Sequence, residues 1–396
     1  MHPKYQKTIT ACFIGYMVQA IVNNFVPLLF LTFHTTYHIS LSKITLLITV
    51  NFVLQLIIDL LSAGFIDKIG YRASAIIAHI FTGAGLVLLT ILPDALPSPF
   101  LGLLLSVMIY AIGGGLLEVL LSPIVEALPT ANKEKTMSLL HSFYCWGHVG
   151  VVLLSTAFFY FCGTANWKIL ALFWALVPIL NIALFAKAPI LTLISEEGTG
   201  YSFRELVAQP VFWLMMLVML CAGASEQSVS QWASTFAEQG LNVNKTVGDL
   251  AGPMFFAILM GTARLLYGKY GEKINLQKAI LLSSLLCIIS YLMISLSPDP
   301  VLSLLGCGIC GFSVGILWPG AFSIASASLK RGGTLLFAML ALAGDMGCSG
   351  GPTYVGLISG HFNDNLKVGI LAAVLFPALL IIGIAAHKKL CKSPLP

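Results

Sequence analysis

Residues 63–72 read AGFIDKIGYR, and residues 263–273 read ARLLYGKYGEK. Both are short basic loops set between long apolar runs. Setting Gly70 on Gly271 puts Lys68 on Lys269 and Arg72 on Lys273, so the loop recurs after about half of the 396-residue chain. In the apolar runs that follow, Gly115 and Pro123 fall on Gly311 and Pro319. A repeat of this length is the mark of a chain built from two equivalent halves.

The runs themselves define the solvent. Hydrophobic residues make up 58% of the chain and charged residues 9%, with a mean hydropathy of +0.93; a soluble domain carries about 25% charged residues. Since about 20 apolar residues cross a bilayer, twelve spans are expected at about 8–34, 40–65, 73–93, 100–128, 136–160, 166–187, 210–238, 246–270, 275–296, 301–328, 333–358 and 366–388. No segment alternates apolar and polar residues as a barrel strand does, so the spans are helices. The expected fold is an all-α membrane protein with twelve transmembrane helices in two pseudo-symmetric six-helix bundles. Residues 1–188 and 210–396 form the bundles, and a linker at 189–209, containing SEEGTGYSFREL, joins them.

A net charge of +5 resembles a weak nucleic-acid signal, but its distribution is topological. With both termini cytoplasmic, Lys43, Lys168, Lys245 and Lys367 fall outside, Arg264 lies near the inner end of the eighth span, and the remaining Lys and Arg fall on inner tails and loops. That is the positive-inside pattern of a multi-pass protein of the cell membrane. No nucleic acid is expected, and a monomer is. The N-terminus has the basic start of a signal peptide but no Ala-x-Ala site, and Gln19, Asn23 and Asn24 interrupt its apolar run, so it reads as a retained helix. The nine Cys lie nearly all within spans, where they pack as small apolar side chains. Asn244-Lys245-Thr246 is a glycosylation sequon in an outward loop, meaningful in a eukaryotic source.

Chemistry concentrates in acids inside the spans. At 1.5 Å per residue, Glu118, Glu226 and Asp345 reach the midplane, and Asp59 lies closer to the inner side. No Lys or Arg is expected at that depth. Placing a charge at the bilayer centre costs about 2.5–3.5 kcal/mol on insertion scales, and burial favours the neutral form. The three deep acids are therefore candidates to load and release H⁺ or to help ligate Na⁺ as an ion-coupling site, against the alternative of a protonated acid bridging two helices. Uncharged polar residues follow helical spacing: Gln19 and Asn23, with Tyr16 a turn earlier; Asn51, Gln55 and Asp59; His141, Tyr144 and His148; Gln227 and Gln231. One stripe alone commonly joins helices, whereas four stripes suit a polar cavity between the halves. With Asn24 and the rings of Trp146, Trp232 and Trp318 they form a candidate site for a polyhydroxylated solute; an interfacial belt is the alternative for Trp232.

Other chemistries drop out. There is no phosphate-binding Gly-x-x-x-x-Gly-Lys loop, nucleophile elbow, or Cys/His metal cluster, and His34-x-x-x-His38 lacks the Glu of a zinc protease. No cofactor, metal or enzymatic activity is expected. Cys307-x-x-Cys310 has redox spacing but sits in an apolar helix.

DKIGYR, Asp67 to Arg72, resembles the loop motif of the major facilitator superfamily of secondary transporters, with Ala63 where the first glycine is usual. GGGLLEVLLSP (113–123), LLHSFYCWG (139–147), GASEQSVSQW (223–232) and GILWPGAFSIAS (315–326) resemble segments of its fucose-permease-like sugar transporters. The resemblance implies alternating access, and a latch in which Asp67, Lys68, Arg72, Glu126 and Arg264 hold the outward-open state. The chemistry of the loop alone leaves interfacial anchoring as the alternative. The resulting expectation is symport of a sugar or similar small polar solute with H⁺, or with Na⁺. The rivals are an exporter of amphipathic compounds, a lipid flippase and a non-transporting receptor. The fifth span lacks the Gly-Pro pair of drug antiporters, and Gly351-Pro352 falls in the eleventh.

Overall fold

The computed structural model describes residues 5–129, 133–191, 201–270, 275–329 and 331–390, without the side chains of 62–65, 67, 126, 133–138, 268, 269, 333, 334 and 337. Among the described residues there are twelve long helices and no strand. We label them α1 (Gln6–Tyr37), α2 (Leu41–Ile69), α3 (Tyr71–Ala95), α4 (Pro99–Glu126), α5 (Lys133–Cys162) and α6 (Trp167–Lys187). The second series is α7 (Pro210–Gly240), α8 (Lys245–Asp249 through Phe255–Tyr270), α9 (Leu276–Leu296), α10 (Pro300–Ser328), α11 (Gly333–His361) and α12 (Leu366–Leu390). Eleven segments are long and apolar enough to cross a membrane, and α11 is a further helix of 29 residues.

Local chemistry sets the helix ends. Pro99, Pro210 and Pro300 occupy first-turn positions, where a missing N–H costs nothing. Ser98, Asn275, Asp299 and Asn365 accept from first-turn N–H groups, supplying partners that the helix lacks. Between α2 and α3 the turn is made at Gly70, whose φ of 88° excludes most side chains. Before α7, Ser202 and Glu205 cap the short helix Phe203–Val207 reciprocally, and the Ser202 N–H holds the Glu205 carboxyl below its usual range. Tyr201 N–H donates to Arg331 O at 2.8 Å, and the Arg331 guanidinium lies 5.0 Å above the Tyr201 ring.

Residues 1–195 with 245–250 form one compact unit, and residues 196–244 with 251–396 form the other. In the first, α3 packs on α4 and α6, α2 on α4, and α1 on α4, α5 and α6. In the second, α9 packs on α10 and α12, α8 on α10, and α7 on α10, α11 and α12. Each pair recurs six helices later, so the repeat read from the loops extends to packing. Its glycines hold equivalent crossings. A Cβ on Gly115 would lie 2.9 Å from Gln55 Cα of α2, and one on Gly311 would lie 2.2 Å from Phe256 O of α8.

Among the described residues five helices are interrupted, one of them α12 at Ala373 and Val374. α1 passes through a 3₁₀ turn at Val26–Leu29 containing Pro27, α7 breaks after Ser230 and ends in a π turn at Phe236–Gly240, α8 carries a π turn at Leu250–Met254 containing Pro253, and α10 is divided at Gly315 and Ile316. Such turns free backbone groups and recur at functional sites. In the first unit, Lys245 Nζ donates to Leu28 O at 2.6 Å beside that 3₁₀ turn, and pairs with the fully buried Asp249 at 3.2 Å. The expected outward-loop position of Lys245 is thus corrected to a helix start.

The contact at Gly311 is with backbone and cannot yield cheaply. Gly311→Val should destabilise the protein by about 1–3 kcal/mol. A melting temperature in detergent equal to the parent's would contradict the α8–α10 crossing.

Candidate functional site

The first unit brings α1, α2 and α4 together around Glu118. Gly113 permits this from one side, since a Cβ there would lie 2.5 Å from Ala78 O of α3; on the other, Gly114 faces the side chains of Gln19 and Gln55. Gln19 Nε2 donates to Glu118 Oε2 at 3.1 Å and to Gln55 Oε1 at 2.9 Å. Gln55 Nε2 donates in turn to Asn23 Oδ1 at 2.9 Å, and Asn51 Nδ2 donates to the same oxygen at 3.2 Å. Gln19, Asn23, Asn51 and Gln55 are all buried. Two oxygens of this chain, Gln19 Oε1 and Asn51 Oδ1, are buried without a partner. The expected stripes on α1 and α2 therefore meet each other as well as the acid.

Next to this chain, Tyr16 Oη lies 3.0 Å from Ser122 Oγ, which lies 3.5 Å from His141 Nε2, and the Tyr16 and His141 rings meet edge to face at 5.2 Å. Ser122 was not among the expected site residues, although it stands one turn beyond Glu118 on the same face. Asn24 Nδ2 donates to Ala20 O at 2.9 Å and to Tyr144 Oη at 3.4 Å. His148 is buried. Trp146, by contrast, is 45% exposed and stands apart from the stripe.

In the second unit, Gln231 Nε2 donates to Gln227 Oε1 at 3.0 Å, and Gln227 Nε2 to Glu226 Oε1 at 3.4 Å. Arg264 of α8 reaches Glu226 Oε2 at 3.2 Å. This corrects the expectation that no cation reaches the deep acids and that Arg264 serves at the inner end of its helix. A long side chain carries its guanidinium more than a turn from its own Cα, which counting by rise omits. Trp232, expected either in the site or in an interfacial belt, is fully buried and its indole N–H donates to Pro352 O of α11 at 2.9 Å, which places it away from a belt. Trp318 is half-buried and packs on Gly344, where a Cβ would lie 2.2 Å from its ring. Asp345, the next residue, is half-buried.

The loop residues are placed in part. Arg72 donates to Ala188 O at 2.8 Å, joining the start of α3 to the end of α6, and Lys68 is exposed. The side chains of Asp67 and Glu126 lie outside the described residues. Cys307 and Cys310 are both buried and unbridged. Among the described residues no His, Cys, Asp and Glu cluster could hold a metal ion.

Each cluster offers amides and a carboxyl, joined in the second unit by a guanidinium, groups that bind polar solutes by hydrogen bonds. The fold of the whole chain is similar to that of several transporters. A bacterial homologue of the human lysosomal transporter Spinster, inward-facing and unoccupied, matches with a TM-score of 0.79 and 16% identity over 100% of both chains. The D-xylose–proton symporter matches with a TM-score of 0.75 and 14% identity over 97% of each chain. The E. coli fucose:proton symporter matches with a TM-score of 0.67 and 14% identity over 97% of this chain and 99% of that one. No curated protein matches the sequence. The sequence itself matches the Major Facilitator Superfamily over residues 9–352, and with the repeated six-helix packing this settles the class: the chain is a membrane transporter, not an enzyme, and belongs to the Major Facilitator Superfamily.

Proposed function

We propose that this transporter accumulates a sugar or a similar small polyol in symport with protons, and that Glu118 carries the proton. Residues 1–188 and 210–396 are the two halves that alternate, 189–209 joins them, and both termini face the cytoplasm of a cell membrane. The observation that carries the reading is the difference between two acids. Glu226 is balanced by Arg264 at 3.2 Å, whereas Glu118 receives an amide N–H from Gln19 and, among the described residues, no cation. A carboxylate held this way in an apolar surround is neutralised most simply by a proton. The likeness to two solved sugar–proton symporters supports the substrate class.

On this reading Gln227 and Gln231 of α7 supply paired donors and acceptors to solute hydroxyls, a role that amide side chains serve well. Asn23 contributes from α1. Asp345 is the remaining candidate for the coupling ion.

Uptake into proteoliposomes, screened across sugars with and without an imposed pH or Na⁺ gradient, tests the proposal. Glu118→Gln mimics the protonated acid, so gradient-driven accumulation should be lost while exchange of labelled for unlabelled solute persists. Accumulation by Glu118→Gln at the parent's level would remove Glu118 from the role. A Na⁺ gradient that drives uptake where a pH gradient does not would replace the ion, and efflux of amphipathic compounds in place of sugar uptake would establish the exporter.

Gln227→Ala and Gln231→Ala should each weaken apparent affinity about ten-fold, since an unpaired hydrogen-bonding group costs about 1–3 kcal/mol. Equilibrium binding equal to the parent's in both variants would place the solute elsewhere.

The latch around Asp67 is proposed from the loop motif. Asp67→Asn should shift the resting population toward inward-open and slow transport without unfolding the protein. Cysteine labelling that is unchanged on both faces, with normal transport, would leave the loop as an anchor.

A further inference from the structure

The amide chain beside Glu118 has a direction, and its two unpartnered oxygens lie at its two ends. From Glu118 it runs through Gln19, Gln55 and Asn23 to Asn51, and Gln19 sits between the carboxylate and Gln55, donating to both. Asn23 Oδ1 accepts from both Gln55 and Asn51. Gln19 Oε1, at the acid end, and Asn51 Oδ1, at the far end, are buried acceptors with no donor. An ionised carboxylate has no proton to offer Gln19 Oε1.

We propose that Gln19, Gln55, Asn23 and Asn51 form a reversible relay that transmits the protonation state of Glu118, with Gln19, Gln55 and Asn51 as positioning residues and Asn23 as the member that also meets the solute. This inference rests on Glu118 being the proton carrier. When a proton from solvent water forms an O–H bond on Glu118, the carboxyl becomes a donor, and the Gln19 amide turns to present Oε1 to it. That oxygen would then face Gln55 Oε1, so Gln55 turns and donates through Nε2 to Gln19 Oε1. Asn23 in turn presents Nδ2 to Gln55 Oε1. The last reversal ends on Asn51, whose Oδ1 accepts from Asn23 Nδ2. The sequence of turns therefore gives partners to both of the oxygens that now lack them. Every link keeps one donor and one acceptor, and no atom need leave its place by more than an amide rotation. Cooperative polarisation favours reversal of such a chain as a unit.

The backbone around the relay allows this. Gly114 presents no side chain where a Cβ would stand 3.3 Å from Gln19 Oε1 and 3.3 Å from Gln55 Cδ, which leaves the rotating amides free. Gln19 and Asn23 lie one turn apart on α1, and Asn51 and Gln55 one turn apart on α2, so the signal travels about 5–6 Å from the acid along the helix axes. Tyr16 of α1 lies by Glu118 and is bonded to Ser122; the other ionisable groups on the helices packed against α4 include Cys12 of α1, Asp59 of α2, one turn beyond Gln55, His79 of α3, bonded to Ala75 O and Asn181, and His141 and His148 of α5. None is a member of the amide chain. The outcome is a different pattern of donors and acceptors at Asn23 and Asn51 for each state of Glu118, and by linkage a solute that prefers one pattern shifts the proton equilibrium equally.

Infrared difference spectroscopy of the protein in lipid bilayers, between mildly acid and mildly alkaline buffer, reads the relay without a solute. Samples carry ¹⁵N in the side-chain amides of glutamine or asparagine. The parent should show a protonated-carboxyl band at acid pH together with shifts in both the glutamine and the asparagine side-chain bands, and Glu118→Gln should lose all three. Gln55→Met should keep the carboxyl band and lose the asparagine shift, because the chain is cut. Should Gln55→Met fail to fold by size-exclusion, Asn51→Leu makes the equivalent cut at the far end, keeping the carboxyl band and losing part of the asparagine shift. A carboxyl band that vanishes in Glu118→Gln while the parent's amide bands stay still would overturn the relay and leave the proton carrier intact. A persisting asparagine shift in Gln55→Met would also overturn the relay. A parent with no carboxyl band assignable to Glu118 would overturn both.

Discussion

A charge inside hydrocarbon must be answered by another group, and the arrangement around each deep acid follows from how it is answered. For Glu226 the answer is Arg264 at 3.2 Å, with Gln227 on the other carboxyl oxygen. A pair like this is costly to break, because either partner left alone is a buried, uncompensated charge. For Glu118 the answer is an amide, which solvates a carboxylate without neutralising it. The first acid has a cation beside it, and the second, among the described residues, has none. The division of roles proposed above grows from that difference.

The packing that creates the two environments is nearly the same in both units. α1 meets α4, α5 and α6 as α7 meets α10, α11 and α12, and a glycine stands at each of the crossings α2–α4 and α8–α10. What differs is the cargo of side chains placed on that common frame. Glu118 on α4 falls opposite Val314 on α10 in the repeat, and Val314 is simply buried. Arg264 on α8 answers an acid on α7, whereas its counterpart on α2, in the register that sets Gly70 on Gly271, is Ala63. Packing depends on small residues at crossings and tolerates this freedom at neighbouring positions.

Much of this was legible in the sequence because the bilayer removes alternatives. A backbone in hydrocarbon must satisfy its own hydrogen bonds, so long apolar runs could only be helices. The loop at Asp67–Arg72 and its echo at Lys269–Lys273 revealed the repeat. The stripes were legible too, since Gln19 and Asn23 share a face by spacing alone. Spacing does not say which faces meet. That Gln19 touches both Gln55 and Glu118 depends on the approach of α1, α2 and α4, which Gly114 and Gly115 permit but do not announce. The break of α7 after Ser230 was hidden as well, for SVSQWA contains neither Pro nor Gly, whereas Pro27 advertised the break in α1. Arg264 was misread because depth was counted along its helix, with no allowance for a side chain reaching across to α7. Trp232 was undecided between the site and a belt because an aromatic ring suits both equally; its indole N–H donates to Pro352 O of α11.

Among the interrupted helices, α1 and α7 occupy equivalent places in the repeat, and each carries amides in the turn before its break: Asn23 and Asn24 ahead of Val26–Leu29, and Gln227 ahead of the break at Gln231 and Trp232. A continuous helix would hold those side chains rigidly against one neighbour. A break lets the segment on either side rotate by a few degrees while its hydrogen bonds are taken up locally, as Lys245 takes up Leu28 O. Amides are suited to such a joint because they can donate or accept through the same contact. Ions are not confined to unbroken helices, since Lys245 and Asp249 pair in the turn before the π turn of α8; what α1 and α7 share at equivalent places is their amides.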